Sequence, residues 1–226
     1  MRGEYKPENP ISLPQQMELI QMAERIAELE QKLKIVERQA VRAREAANIG
    51  ARFKNRTFES FDQTKNPQGY HTVKRFAERF DENQGDGLLL MGEPGTGKTH
   101  LAVATMIYII NEFIMPAKFI SFNSFLEEIK MGFGENSDKV KTVIEMPLLV
   151  VDDIGKEKKT EWSNGVLYRI INERYEAMLP TIITTNLMPP ELEKHCGDAT
   201  FSRIIEMTEA VDCRGADYRK RKLGVM

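Results

Sequence analysis

Apolar positions along the chain fall into three patterns, and each predicts a different kind of structure. The first is periodic. Leu19, Met22, Ile26, Leu29, Leu33, Val36, Ala40, Ala43 and Ala47 recur at alternating spacings of three and four, which makes a heptad seam along one helix. Ser12 as N-cap, Pro14 in the first turn and Gln15 three residues after the cap mark its start. Gly50 marks its stop. A helix from Leu13 to Ile49 would be roughly 50 Å long. No second helical stretch follows for it to fold back on. Its stripe is therefore expected to lie on the following domain, on a second copy or on another protein, and its length favours a partner-binding arm. Residues 1–52 are expected to form this arm, and residues 53–226 a separate domain.

The second pattern is a series of short apolar runs, Leu88–Met91, Lys118–Phe122, Leu148–Val151 and Thr181–Thr185. Helical stretches alternate with them: Val73–Phe80, Leu101 onward, Ser124–Met131, Asp138–Glu145 and Glu161–Met178. Pro189–His195 and Ala199–Met207 follow as short helices. Apolar strands separated by helices predict an α/β fold, a parallel sheet covered by helices on both faces. The third pattern is a polar connector that carries Phe53, Phe58 and Phe61, a segment expected to be pinned onto the domain that follows it.

Chemistry enters where the second pattern meets glycine. Gly92-Glu93-Pro94-Gly95-Thr96-Gly97-Lys98-Thr99 follows a predicted strand and opens a predicted helix. This is the P-loop pattern in the setting it needs. Its backbone N–H groups would curl around phosphate oxygens of ATP, and the helix end adds positive potential. Lys98 would reach the β- and γ-phosphates, and the Thr99 hydroxyl would ligate Mg²⁺. His100 closes the nucleotide-binding segment and is expected to pack or hydrogen-bond there. Asp152-Asp153 ends the apolar run from Leu148. Asp152 is placed to hold Mg²⁺, and Asp153 to orient or polarise the attacking water. Asn186 ends the next strand, where its amide could hold that water or the γ-phosphate, or simply close a turn.

Composition narrows the setting. The 226 residues are 41% hydrophobic and 29% charged with a net charge of −2, so there is no global push toward nucleic acid or membrane. Local basic residues at the end of the first helix, Arg38, Arg42, Arg44, Arg52, Lys54 and Arg56, form either a solvated face or a phosphate contact. Cys196 and Cys213 have no metal-ligand spacing and suit a reducing compartment. No secretory signal and no apolar run of about 18 residues is present, so a cytoplasmic protein without a membrane span is expected.

Gly92–Thr99, Asp152-Asp153, Thr184-Thr185-Asn186, Ser202-Arg203 and Gly215-Ala216-Asp217-Tyr218-Arg219 occur in this order. From Phe53 onward the chain thereby resembles a AAA+ ATPase, and within that superfamily the DnaC/DnaI type of replicative helicase loader, phage and prophage versions included. Gly97-Lys98-Thr99-His100-Leu101-Ala102, the stretch Leu167–Tyr175 and the Thr-Thr-Asn strand carry the narrower likeness. The resemblance implies Lys98 and Thr99 as Walker A residues and Asp152 as the Walker B magnesium aspartate. It implies Asn186 as sensor 1, Arg203 as an arginine finger on a neighbouring subunit's ATP, and Arg219 as sensor 2. It implies Lys130 and Phe133 as contacts to single-stranded DNA. It further implies a hexameric replicative helicase as partner, a homo-oligomer in the ATP state, and hydrolysis linked to release. Asp153 stands where such proteins often have glutamate, which implies slow turnover. The short stretch after Arg219 implies a reduced or absent helical lid. Transposition ATPases of the IstB type, which act on duplex DNA, share much of the motif set, and a weakly hydrolysing coiled-coil adaptor is the third reading.

Overall fold

The computed structural model describes residues 12–82, 85–131 and 136–215. Compact packing divides them between Val41 and Arg42, ahead of the boundary expected at Arg52. The first unit is the greater part of helix α1 (Leu13–Ala46). At its start the Gln15 half of the expected capping box is present: Gln15 Oε1 accepts from the Ser12 N–H at 3.0 Å, while the Ser12 hydroxyl, instead of accepting from the backbone, donates to the same oxygen at 2.9 Å. The helix stops earlier than Gly50, because Asn48 takes a left-handed conformation (φ 57°), which asparagine tolerates better than most residues. That turn sends Ala47 and Ile49 into the core of the second unit. The Ala47 carbonyl accepts the Phe119 N–H at 2.8 Å.

The second unit contains α2 (Pro67–Glu78), β1 (Gly87–Met91), α3 (Lys98–Phe113), β2 (Ala117–Ser121), α4 (Phe122–Met131), α5 (Asn136–Ile144), β3 (Leu148–Ile154), α6 (Glu161–Glu176), β4 (Thr181–Thr185), α7 (Pro189–Cys196), α8 (Asp198–Glu206) and β5 (Thr208–Asp212). The five strands form one parallel sheet in the order β2-β3-β4-β1-β5. Side chains alternate between its faces. Leu88 and Leu90, Leu148 and Val150, and Ile182 join α2, α3 and the connector in one core. Leu89 and Met91, Leu149 and Val151, and Ile183 join α4 to α8 in the other. This is the doubly covered α/β sheet expected from the apolar runs.

The connector is pinned as predicted. Phe61 stacks on Tyr70 at 5.9 Å, Phe58 meets the same ring edge-on at 5.8 Å, and Phe53 lies 5.9 Å from Phe119. Arg44, from the basic run, donates through Nε to Asn111 Oδ1 at 2.6 Å, so this arginine braces α3. Arg174 is fully buried on α6. It donates to Thr181 Oγ1 and to the carbonyls of Val143, Ile144, Met146 and Pro180. One guanidinium thus ties the end of α5 and the start of β4 to α6. Burial pulls it down to about 9, so it stays charged at neutral pH.

Candidate functional site

The sheet order places the candidate site. β4 lies between β1 and β3, so the loop leaving β1 and the acids ending β3 flank the end of β4. Met91 pairs with Thr185, and the next residues, Gly92 and Asn186, leave neighbouring strands side by side. Ligand sites of open parallel sheets form at such strand ends.

The P-loop is shaped by glycines with positive φ, Gly92 (142°), Gly95 (83°) and Gly97 (98°). At Gly97 a Cβ would sit 2.6 Å from the Phe61 ring, and at Gly92 2.6 Å from the Cys213 carbonyl. The loop is therefore hemmed in by the connector on one side and by the exit of β5 on the other. Thr96 Oγ1 donates to the Glu93 carbonyl at 2.9 Å, which closes the turn. Lys98 opens α3 and is only 5% exposed. Its Nζ donates to the carbonyls of Gly92 and Glu93, both at 2.7 Å. Desolvation pulls its pKa below the usual lysine value, against the attraction of Asp153 and Asp152.

The acids occupy an irregular stretch. The β3–β4 register shifts between Val151 and Ile154, and Asp153 sits at φ 62°, strained for a side chain of this kind. Asp152 is 4% exposed. Thr184 Oγ1 donates to Asp152 Oδ1 at 2.7 Å and accepts the Asp153 N–H at 2.9 Å. Desolvation raises the Asp152 pKa and the neighbouring Asp153 adds to this, while hydrogen bonds from Thr184 and Thr99 oppose it. Thr99, at the start of α3, and Asp152, near the end of β3, are the two oxygen donors that would hold one Mg²⁺, directly or through water. A hard cation of that kind is served by two protein oxygens when phosphate and water complete its shell, so this donor set fits. Asp153 Oδ2 is held by Lys156 Nζ at 2.5 Å. The turn carrying Lys156 is anchored in turn: Glu157, 6% exposed, accepts the Gly155 N–H at 2.8 Å and meets His195 Nε2 at 2.7 Å.

The remaining candidates distribute as follows. Asn186 is half-buried directly after β4. His100 faces the connector, with Nε2 2.9 Å from the Thr57 carbonyl and 3.2 Å from Ser60 Oγ. Arg203 is half-buried on α8, its guanidinium 5.4 Å from the Tyr168 ring and 5.8 Å from the Tyr175 ring. Its Nη1 donates to Ala199 O at 2.8 Å, and its buried Nε has no hydrogen-bond partner among the described residues. Lys130 Nζ lies 4.7 Å from the centroid of the exposed Trp162 ring. Phe133 and Arg219 lie outside the described residues. Sequence reasoning did not single out Thr184, Lys156 or Trp162. Thr184 was within the quoted Thr-Thr-Asn motif, whereas Lys156 and Trp162 gain meaning only from the neighbours the fold gives them.

Residues 14–224 match the family model described as IstB-like ATP binding protein. The chain is similar to the phage-like element PBSX protein XkdC of Bacillus subtilis, 25% identical over 198 residues that cover 81% of this chain and 74% of that protein. It is similar to the replicative helicase loader DnaI of Bacillus subtilis, 30% identical over 152 residues, 64% of this chain and 47% of that one. Among solved structures it resembles the DnaC helicase loader, with a TM-score of 0.67 and 30% identity over 72% of this chain and 99% of that one. The chain spans about half the length of the curated helicase loaders it matches.

Proposed function

The chain belongs to the IstB-like family of ATP-binding proteins, and from that footing we propose that it is a AAA+ ATPase that loads a hexameric replicative helicase onto single-stranded DNA in the cytoplasm. The observation that carries the ATPase part is the placing of Lys98, Thr99 and the Thr184-held Asp152 at the carboxyl ends of the neighbouring strands β1, β4 and β3. Lys98 exchanges its loop carbonyls for β- and γ-phosphate oxygens of ATP. Thr99 and Asp152 would hold Mg²⁺, which would supply positive charge against the phosphates. Asp153 accepts a hydrogen bond from the attacking water, whose oxygen bonds to the γ-phosphorus as the bond to the ADP oxygen breaks. Asn186 orients that water, and Arg203 of a neighbouring subunit meets the γ-phosphate, so the ATP state is an oligomer. Turnover is slow, because Asp153 is one methylene shorter than glutamate and Lys156 engages it.

Likeness to DnaI and DnaC supports the loading part. The Lys130–Trp162 pair supports contact with single-stranded DNA, since an exposed ring beside an ammonium offers stacking and phosphate attraction together. The unit ending at Val41 grips the helicase, and ATP acts by favouring one assembly over another. Co-purification with a hexameric replicative helicase tests this, using the full chain and a chain that starts at Arg42. Capture by the full chain and loss with the shorter one is expected. Equal capture by both refutes the arm. Capture by neither, together with ATP-dependent assembly on duplex DNA, favours the transposition reading that the family also allows. Turnover that stays at background with DNA and helicase present favours the adaptor.

A further inference from the structure

Helix α1 carries a seam that the described residues leave exposed. Leu19, Met22, Ile26, Leu29, Leu33 and Val36 are between 43% and 65% exposed, and no residue of the helix is buried. Further along the same line Ala43 and Ala47 pack into the core of the second unit. The uncovered part therefore runs from Leu19 to Val36, about 27 Å of helix. Leu19, Ile26 and Leu33 take the first core position of successive heptads, and Met22, Leu29 and Val36 the second.

From the second heptad on, the charges beside this seam are sorted by side, Glu18 before Leu19 being the exception. In that register Arg25 and Lys32 precede the first core position, and Glu30 and Glu37 follow the second. These are the flanking positions that set partner and orientation in coiled coils. We propose that α1 of two copies of this chain pair as a parallel, in-register coiled coil. In that arrangement Arg25 of each copy faces Glu30 of the other, and Lys32 faces Glu37. An antiparallel pair would instead set the basic positions against each other and the acids against each other. Within its own helix Arg25 reaches Glu28 only at 3.4 Å, with both side chains mostly exposed, a contact worth little and easily exchanged. Ile26 and Leu29 at the middle of the seam are the residue types that favour two strands at those positions. Leu13, Met17 and Ile20, exposed by 75%, 58% and 59%, lie on the opposite side of the helix. They stay free in the dimer for a different partner.

The pairing goes beyond the loader reading and needs neither ATP nor helicase. Sedimentation of the full chain without nucleotide, across a concentration series, is expected to give a species of twice the 25.9 kDa chain mass. R25E/K32E puts acid against acid at four contacts and weakens association about tenfold or more. Adding E30K/E37K in the same chain restores opposite charges in a parallel pair and restores the dimer. Met22→Cys, whose side chain would face its own copy only in a parallel register, forms a cross-linked dimer on oxidation, while Cys196 and Cys213 are buried. A chain that stays monomeric at every concentration, a dimer indifferent to both charge variants, or a Met22→Cys chain that fails to cross-link overturns the proposal. Circular dichroism and ATP binding report whether each variant is folded. Because the assay contains no helicase or nucleotide, its failure leaves the loader reading standing, and failed helicase capture leaves the dimer standing.

Discussion

Asp152 pays for its position. It is nearly buried, its neighbour is another acid, and hydrogen bonds from Thr184 and Thr99 with the charge of Lys156 only partly offset the burial. A carboxyl whose pKa is raised on folding subtracts stability while it is ionised. That loss is relieved as pH falls through the folded-state pKa. Asp152→Asn keeps an acceptor for the Thr184 hydroxyl and removes the charge. The nucleotide-free variant is expected to melt at a higher temperature than the parent at neutral pH, with the gain shrinking toward acid pH, while Mg²⁺-dependent turnover is lost. Thermal melts across a pH series and a phosphate-release assay check the two halves separately. A site residue whose removal stabilises the fold is one kept for chemistry rather than for structure.

At the scale of elements, Arg174 has the opposite character. Its guanidinium replaces capping groups at the end of α5 and the start of β4, and among the described residues its partners are a hydroxyl and carbonyls. Arg174→Met fills much of the volume but takes the guanidinium donor from the buried Val143 and Ile144 carbonyls and from the part-buried Met146 carbonyl. It is expected to cost about 3 kcal/mol or more, at roughly 1–3 kcal/mol for each orphaned group, read as a lower urea midpoint. The variant that does fold should retain ATP binding, since Arg174 lies apart from Lys98 and Asp152 in the hydrogen-bond network. Elements differed in how well the sequence announced them. β1, the first four residues of β3 and the Ile-Ile centre of β4 are apolar and buried, so their runs were legible, and so was the P-loop between strand and helix. α2 begins at Pro67, well before the expected Val73, because Asn66 caps it by accepting from the Gly69 N–H at 2.9 Å; the Asn-Pro signal was there to be read. β5 was not legible. Its sequence Thr-Glu-Ala-Val-Asp buries only Val211, and it is a strand because β1 offers it an edge. The Tyr168–Arg203–Tyr175 cluster was equally invisible, since it depends on α6 and α8 packing together.

For the whole molecule, the question is whether one chain contains a complete site. Lys98, Thr99, Asp152 and Asp153 lie at the carboxyl ends of β1 and β3, with Asn186 directly after β4 between them, whereas the contacts of Arg203 are with Ala199, Tyr168 and Tyr175. Arg203→Ala is expected to leave ATP affinity within about twofold and to lower turnover, by up to the ~10³-fold or more that an inserted arginine can supply. Mixing it with Asp152→Ala protein should recover part of the activity, since one mixed interface pairs an intact nucleotide site with an intact arginine. Steady-state phosphate release from the mixture decides this, and no recovery means that Arg203 does not act between subunits.

Lys98 has a consequence for how such an assembly would respond to its ligand. Its ammonium is already engaged by the Gly92 and Glu93 carbonyls, so an arriving triphosphate displaces bonds as well as making them. Affinity then measures a difference between two bonded states rather than the full strength of the lysine–phosphate contact.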